Sequence, residues 1–219
     1  MQYLDIHTHK KTSAGVSIIN CSGNFSQLPT SGFYSTGIHP WYISTETESE
    51  FNELVQISKQ TNVLAIGECG LDKVCDTDFT LQQTYFINQI QLANILQKPL
   101  IIHCVKAFNE AIQLLQHEKA QGAVIFHGFN KNNTLAKELI AKEYYLSFGK
   151  HLLNTSVAET FKTLPLEKIF LETDDSEVEI EEIYKVAASI KNIDITTLTQ
   201  QITKNAQRVF EKKFNKYDE

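Results

Sequence analysis

The chain has 219 residues and a formal net charge of -6. That length allows one sizeable core over residues 1–219, a single domain, and falls short of the about 250 residues typical of a full eight-unit barrel. The charge excludes a long electrostatic grip on duplex nucleic acid, though not a small anionic substrate held by metal ions.

Short β-rich apolar runs alternate with helical stretches along the chain. The expected strands are Tyr3–His7, Val16–Asn20, Phe33–His39, Val63–Gly67, Leu100–Cys104, Ala123–His127, Tyr144–Phe148 and Ile169–Thr173. The expected helices are Glu48–Gln60, Asp78–Leu96, Phe108–Glu118, Thr134–Glu143, Thr155–Leu164, Ile180–Ile190 and Leu198–Lys212. Leu81, Tyr85, Ile90 and Leu92 are read as the apolar stripe of the second helix. Strands alternating with helices imply a parallel sheet, and eight of them imply an α/β fold of (β/α)8 TIM-like barrel type. The stretches Lys10–Gly15 and Cys21–Gly32 are rich in small polar residues, so the first two helical connections are expected to be loops. The last two helices are expected to close the barrel as extra elements.

Polar residues fall at the ends of these strands, where barrels carry their active sites. His7 and His9 end the first strand and His39 the third; Glu68 follows the fourth. His103 and His127 end the fifth and sixth, and Asp174 follows the eighth. Residues two apart on a strand share a face, so Asp5, His7 and His9 line one side, with Asp5 deeper and placed to orient an imidazole. Each residue alone fits a bland role, as a polar edge, a structural histidine or a helix cap. One metal centre accounts for all of them, and mixed carboxylate and imidazole donors suit zinc or another borderline ion. Asp175 competes with Asp174, whose register is the better one. Cys69 and Cys104 adjoin proposed ligands but face the other way, as small buried residues. The four cysteines lack the spacing of a zinc knuckle or a disulfide framework, which fits a reducing, cytoplasmic setting. No leader-like pattern precedes Tyr3, and no apolar run is long enough to span a bilayer.

These residues together resemble the TatD family of metal-dependent hydrolases. The segments that carry the resemblance are Asp5-Ile-His7-Thr-His9, Gly37-Ile-His39-Pro40, Ile66-Gly67-Glu68-Cys-Gly70-Leu71-Asp72, Pro99-Leu-Ile-Ile-His103, Phe126-His127-Gly-Phe and Leu171-Glu172-Thr173-Asp174. Asn205-Ala-Gln-Arg208-Val-Phe210 is similar to the family's last helix. The resemblance implies two divalent ions: zinc in a structure, magnesium or manganese as alternatives in the cell. His7, His9 and Asp174 would serve one ion, His103 and His127 the other, with Glu68 between them and Asp174 taking a proton from the attacking water. It also implies hydrolysis of phosphodiesters, with DNA cleavage among the family's activities.

The chain departs from the family at Trp41, where a second histidine often stands, and at Val105, where an arginine is usual. Asp175-Ser176 replaces the proline-containing turn. The substrate contacts are therefore expected among His39, Trp41, Asp72, Lys106 and Lys150, the two lysines supplying charge in place of the arginine. Trp41, Tyr42 and Phe129 are candidates to stack on a base of a single strand, an end or a short fragment. No membrane and no stable protein partner are expected. The competing readings are a barrel hydrolase for another ester, a lactone or an amide, a phosphatase that also begins Asp-x-His-x-His, and a metal-binding module without turnover.

Overall fold

The structure, a computed structural model, describes residues 3–10, 15–23, 28–44 and 47–210. Strands β1 (Leu4–Thr8), β2 (Val16–Cys21), β3 (Phe33–Thr36), β4 (Val63–Asp72), β5 (Leu100–Val105), β6 (Val124–Phe126), β7 (Tyr145–Phe148) and β8 (Ile169–Leu171) form one sheet in sequence order. Helix α1 (Thr47–Ile57) precedes β4, and α2 (Phe79–Leu96) follows it. Then α3 (Phe108–His117), α4 (Asn133–Ala141) and α5 (Thr155–Thr163) follow β5, β6 and β7, and α6 (Ile180–Lys191) and α7 (Ile195–Phe210) follow β8. This is the connectivity of a (β/α)8 barrel. Between β1 and β2, and between β2 and β3, the described residues form no helix, as the sequence implied. Residues 11–14 and 24–27 of those expected loops lie outside the described residues, as do residues 211 and 212 of the last expected helix.

The chain divides into two compact units, residues 1–18 with 125–219, and residues 19–124. In the first unit β6, β7 and β8 pair in parallel, with Ile125 opposite Tyr145 and Ser147 opposite Phe170. Phe126, Phe148, Phe161 and Phe170 are fully buried and fill its core. The chain beyond β8 runs alongside the end of β1. The Asp174 amide donates to the His7 carbonyl at 2.9 Å, and the His9 amide donates to the Asp174 carbonyl at 3.1 Å. That backbone pairing, more than any side-chain contact, sets His7, His9 and Asp174 together. The start of β1 is held by α6: the buried Tyr184 hydroxyl accepts from the Leu4 amide at 3.2 Å and donates to the Leu4 carbonyl at 3.0 Å. Asn205 of α7 donates to the Leu166 and Ile169 carbonyls at 2.7 and 2.8 Å, satisfying backbone groups at the start of β8. The two terminal helices thus anchor strands directly.

In the second unit β3, β4 and β5 pair in parallel. All ten residues of β4 are buried. Its register against β5 moves from Ile66 opposite Leu100 to Cys69 opposite Ile102, so β4 carries one extra residue there. Such a bulge re-aims a side chain, and Glu68 lies in it. Gly70 makes the geometry possible: at φ +141, a Cβ would stand 2.0 Å from the His103 carbonyl oxygen.

Helix α2 buries Ile90 and Leu92 of the stripe expected of it, but not Leu81 and Tyr85. Leu81 is exposed and Tyr85 half-buried, while Gln82, Phe86, Gln89 and Ala93 turn inward. Hydrogen bonding adds to hydrophobicity in setting this face. Gln82 accepts from the Asp72 amide at 2.8 Å and donates to the Asp72 carbonyl at 3.0 Å. Gln89 does the same for Ile38, at 2.7 and 3.1 Å. Each glutamine amide stands in for a neighbouring strand at the end of β4 and just past β3. No described helix is long and apolar enough to cross a membrane.

Candidate functional site

The first unit gathers His7, His9, His127 and Asp174. His7 Nε2 lies 3.6 Å and His9 Nε2 3.4 Å from the same oxygen, Asp174 Oδ1. The His7 and His127 rings are 4.4 Å apart, and the His7 and His9 rings meet edge to face. One donor atom each from His7, His127 and Asp174 lie within 4.8 Å of one another. Ligand bonds of 2.0–2.1 Å put tetrahedral donors about 3.3–3.4 Å apart. The two imidazole–carboxylate distances are close to that edge and too long for strong hydrogen bonds. The donor set and its spacing therefore fit a divalent ion. Asp174 reaches the cluster at φ +56, a conformation that aspartate tolerates better than most residues. His7 is buried and His9 is 41% exposed, so the cluster opens on the His9 side.

Two carboxylates surround this cluster. Asp5, expected to orient an imidazole, serves the backbone instead. It accepts from the Thr173 amide at 3.0 Å and the Thr173 hydroxyl at 2.6 Å, fixing the residue before Asp174. Burial pushes its carboxyl up to about 7, against the pull of those two hydrogen bonds. Glu172 was not singled out by sequence, although it lies two residues before Asp174 and so on the same face by strand alternation. It is buried, accepts from the Gly128 amide at 2.6 Å and places Oε1 3.6 Å from His127 Nδ1. That is too long for a strong hydrogen bond, but a carboxylate there favours the proton on Nδ1, which would turn the Nε2 lone pair towards a cation.

The second unit gathers His39, Glu68, Asp72 and His103. Glu68 Oε1 lies 3.1 Å from His39 Nε2 and 3.0 Å from His103 Nδ1. Asn20, also missed by sequence, clamps Glu68 twice: its amide nitrogen donates to Oε2 at 3.2 Å, and its oxygen accepts from the Glu68 backbone amide at 3.0 Å. His39 has a defined role. Its Nδ1 accepts from the Trp41 amide at 3.1 Å, so the proton of the neutral ring is on Nε2, facing Glu68. His39 is thereby a donor to Glu68, although its position would let it join Glu68 and His103 around an ion. His103 has a carboxylate at each nitrogen, with Asp72 Oδ2 3.2 Å from Nε2. A neutral imidazole donates on one side only, and a cation beside Glu68 matches the other side.

Asp72 is occupied by the protein. Oδ2 accepts from the Trp41 indole at 2.7 Å, and Oδ1 accepts from the Val74 amide at 2.7 Å. Burial opposes its charge, but these bonds and His103 hold its carboxyl below the ordinary aspartate value. Lys150 is paired with Asp175 at 2.8 Å, in the first unit, and Lys106 is exposed just past β5 with φ +53. Phe129, one of the three stacking candidates, is buried against Phe148 and belongs to the core. Trp41 and Tyr42 are exposed. Cys69 is buried, as expected, and burial pushes its thiol up, whereas Cys104, expected to be buried too, is only half-buried.

A (β/α)8 fold with imidazole and carboxylate clusters at its strand ends defines a candidate metal-binding barrel. Residues 23–211 match the family described as TatD related DNase, and the chain belongs to that family. It is 35% identical over 145 residues to an "Uncharacterized metal-dependent hydrolase" of Buchnera aphidicola subsp. Baizongia pistaciae, a match covering 64% of this chain and 54% of that protein. It is 30% identical over 167 residues to "Putative deoxyribonuclease TATDN3" of Mus musculus, covering 68% of this chain and 56% of that protein. The chain thus spans little more than half the length of these relatives. Its fold is that of YJJV, a TatD homologue from Escherichia coli K12, with a TM-score of 0.83 at 17% identity, covering 95% of this chain and 97% of that one.

Proposed function

We propose that this chain is a divalent-metal-dependent hydrolase of phosphodiesters, acting on single-stranded ends or short fragments of nucleic acid in the cytoplasm. The observation that carries the reading is the meeting of His7, His9 and His127 with Asp174 at the spacing of metal donors. Membership of the TatD related DNase family and the nuclease name of the mouse relative support the substrate class. The donors are His7, His9, His127 and Asp174 with Glu68 and His103, holding two ions, as the resemblance implies. Bound divalent ions supply Lewis acidity and lower the pKa of a coordinated water.

The protein's own groups do the rest. Asp174 accepts the proton of the attacking water through its carboxylate, since it lies on the open side of its cluster beside His9. Glu172 holds the His127 ring with its lone pair towards the cluster. Asn20 and His39 hold Glu68 by hydrogen bonds to its oxygens. The net charge of -6 leaves recognition to a few local contacts rather than to a long basic track.

The test is metal analysis of protein purified without added metal, followed by assay on a phosphodiester, a phosphomonoester and a lactone. Two equivalents of metal and chelator-sensitive cleavage of the phosphodiester are expected. Metal content with turnover of the lactone alone would overturn the substrate class.

A further inference from the structure

We propose that Trp41 and Tyr42 form a fixed stacking platform that binds one unpaired nucleobase beside the second unit's histidine–carboxylate cluster. The inference rests on the hydrolase reading above and names the feature of the substrate that this site reads.

Exposed tryptophan is uncommon, and large aromatic rings on the outside of a protein mark binding more often than packing. Here Trp41 is 53% and Tyr42 60% exposed, side by side at the end of the same short turn. Trp41 is also immobilised. Its indole N–H donates to the buried Asp72, and its ring meets His39 and His103 edge to face, at centroid distances of 4.9 and 5.7 Å. Its edge is thus used by the protein while much of its surface stays in water. The Tyr42 ring also meets His39, tilted, at 5.5 Å. Beyond Asp72, Val74 is exposed as well, and its amide ties it to the same carboxylate.

This arrangement has three consequences. First, the platform is pre-ordered, because Asp72 anchors Trp41 and His103 at once, so stacking costs little side-chain entropy. Second, it is adjacent to His103, which the hydrolase reading makes a metal ligand, so the base it holds belongs to a nucleotide next to the cleaved phosphate. Third, every base has a π-face, so the platform selects an unpaired base without selecting its identity. A base inside a duplex has both faces covered, and a net charge of -6 adds no overall attraction to offset unstacking. The platform therefore favours ends and single strands.

Trp41 is the chain's single tryptophan, so its fluorescence reports on this platform alone. The deciding experiment titrates the metal-loaded protein with thymidine 5′-monophosphate and, separately, with deoxyribose 5-phosphate, the same phosphate without a base. Saturable quenching by the nucleotide and none by the sugar phosphate is expected. Equal responses to the two, or no response to the nucleotide, would overturn the platform. A second measurement compares kcat/KM on a single-stranded oligonucleotide with an intact or an abasic nucleotide at the cleavage site. Base stacking typically contributes about 1–3 kcal/mol, so the wild-type preference for the intact strand should be about 5–150-fold, carried in KM. Trp41→Ala should abolish the preference, and Trp41→Phe should retain most of it. A preference unchanged in Trp41→Ala would refute the proposal. Failure of the hydrolase reading shows separately, as absence of cleavage of either strand while the fluorescence result stands.

Discussion

Asp174 and Asp175 are neighbours in sequence with opposite expected consequences when changed. Asp174 Oδ1 faces two imidazole nitrogens at 3.4 and 3.6 Å, and its backbone is locked to His7 and His9. Asp174→Asn keeps the shape and the backbone bonds but removes the proton acceptor and one negative charge. Loss of a general base costs about 10²–10⁴-fold in kcat, which is about 3–5 kcal/mol in the barrier. Asp175 is 70% exposed and pairs with Lys150, itself 43% exposed. Such a surface pair contributes about 0–1 kcal/mol, so Asp175→Asn should change kcat by less than about five-fold. The assay is kcat on bis(p-nitrophenyl) phosphate, with bound metal measured on the same samples to separate lost base from lost ligand. Near-normal turnover by a metal-replete Asp174→Asn enzyme, or inactivation by Asp175→Asn, would refute the assignment.

Three further outcomes follow from the surrounding contacts. Tyr184→Phe keeps the packing but strands the buried Leu4 amide and carbonyl; at about 1–3 kcal/mol for each unmade bond, stability should fall by about 2–6 kcal/mol, read as a denaturant midpoint shift without a change in slope. Glu172→Gln should weaken metal binding by about 10–100-fold in calorimetry, because the carboxylate that orients His127 is gone; unchanged affinity would limit Glu172 to holding Gly128. Lys191 is half-buried over the Phe161 ring and donates to the Lys162 and Leu164 carbonyls, and burial pushes its ammonium down to about 8. Between that value and the ordinary lysine value the unfolded chain binds more protons than the folded one, so stability should rise with pH across that window. In thermal melts at pH 7.5 and 9.5, wild type should gain on Lys191→Met as pH rises, and parallel profiles would contradict the burial effect.

The sequence carried the strand–helix alternation because each buried strand is a compact apolar run. It also carried the ligand candidates, because they stand where those runs stop. What it did not carry was local geometry that breaks a rule. β4 was expected to stop at Gly67, since glycine usually ends a strand; instead Gly67 and Gly70 let it bulge and continue to Asp72. The third strand was expected to reach His39 but ends at Thr36, since the next residues bond α2 and form a turn: Ile38 to Gln89, and Trp41 to His39. The inward face of α2 was right at Ile90 and Leu92 but wrong at Leu81 and Tyr85, because hydrophobic period passes over the two glutamines that also turn inward. Asn20 and Glu172 were missed for a related reason. A residue that holds another residue in place has no signature of its own until its partner's position is known.

The two glutamines of α2 separate the loop bases from the loop tips. Gln82 and Gln89 are two helical turns apart, and each grips the backbone at a strand end; Gln82 also reaches into the loop beyond, donating to the Cys75 sulfur and the Thr77 carbonyl. The segment leading to Trp41 and Tyr42 and the one leading to Val74 therefore leave the sheet from points fixed by a rigid helix. The side chain of Val74 can change, by drift or by design, because only its amide bonds Asp72, whereas Trp41 cannot: its indole holds the carboxylate that meets His103. Positions 42 and 74 are accordingly where the surface beside the cluster can be retuned while the histidines stay in place.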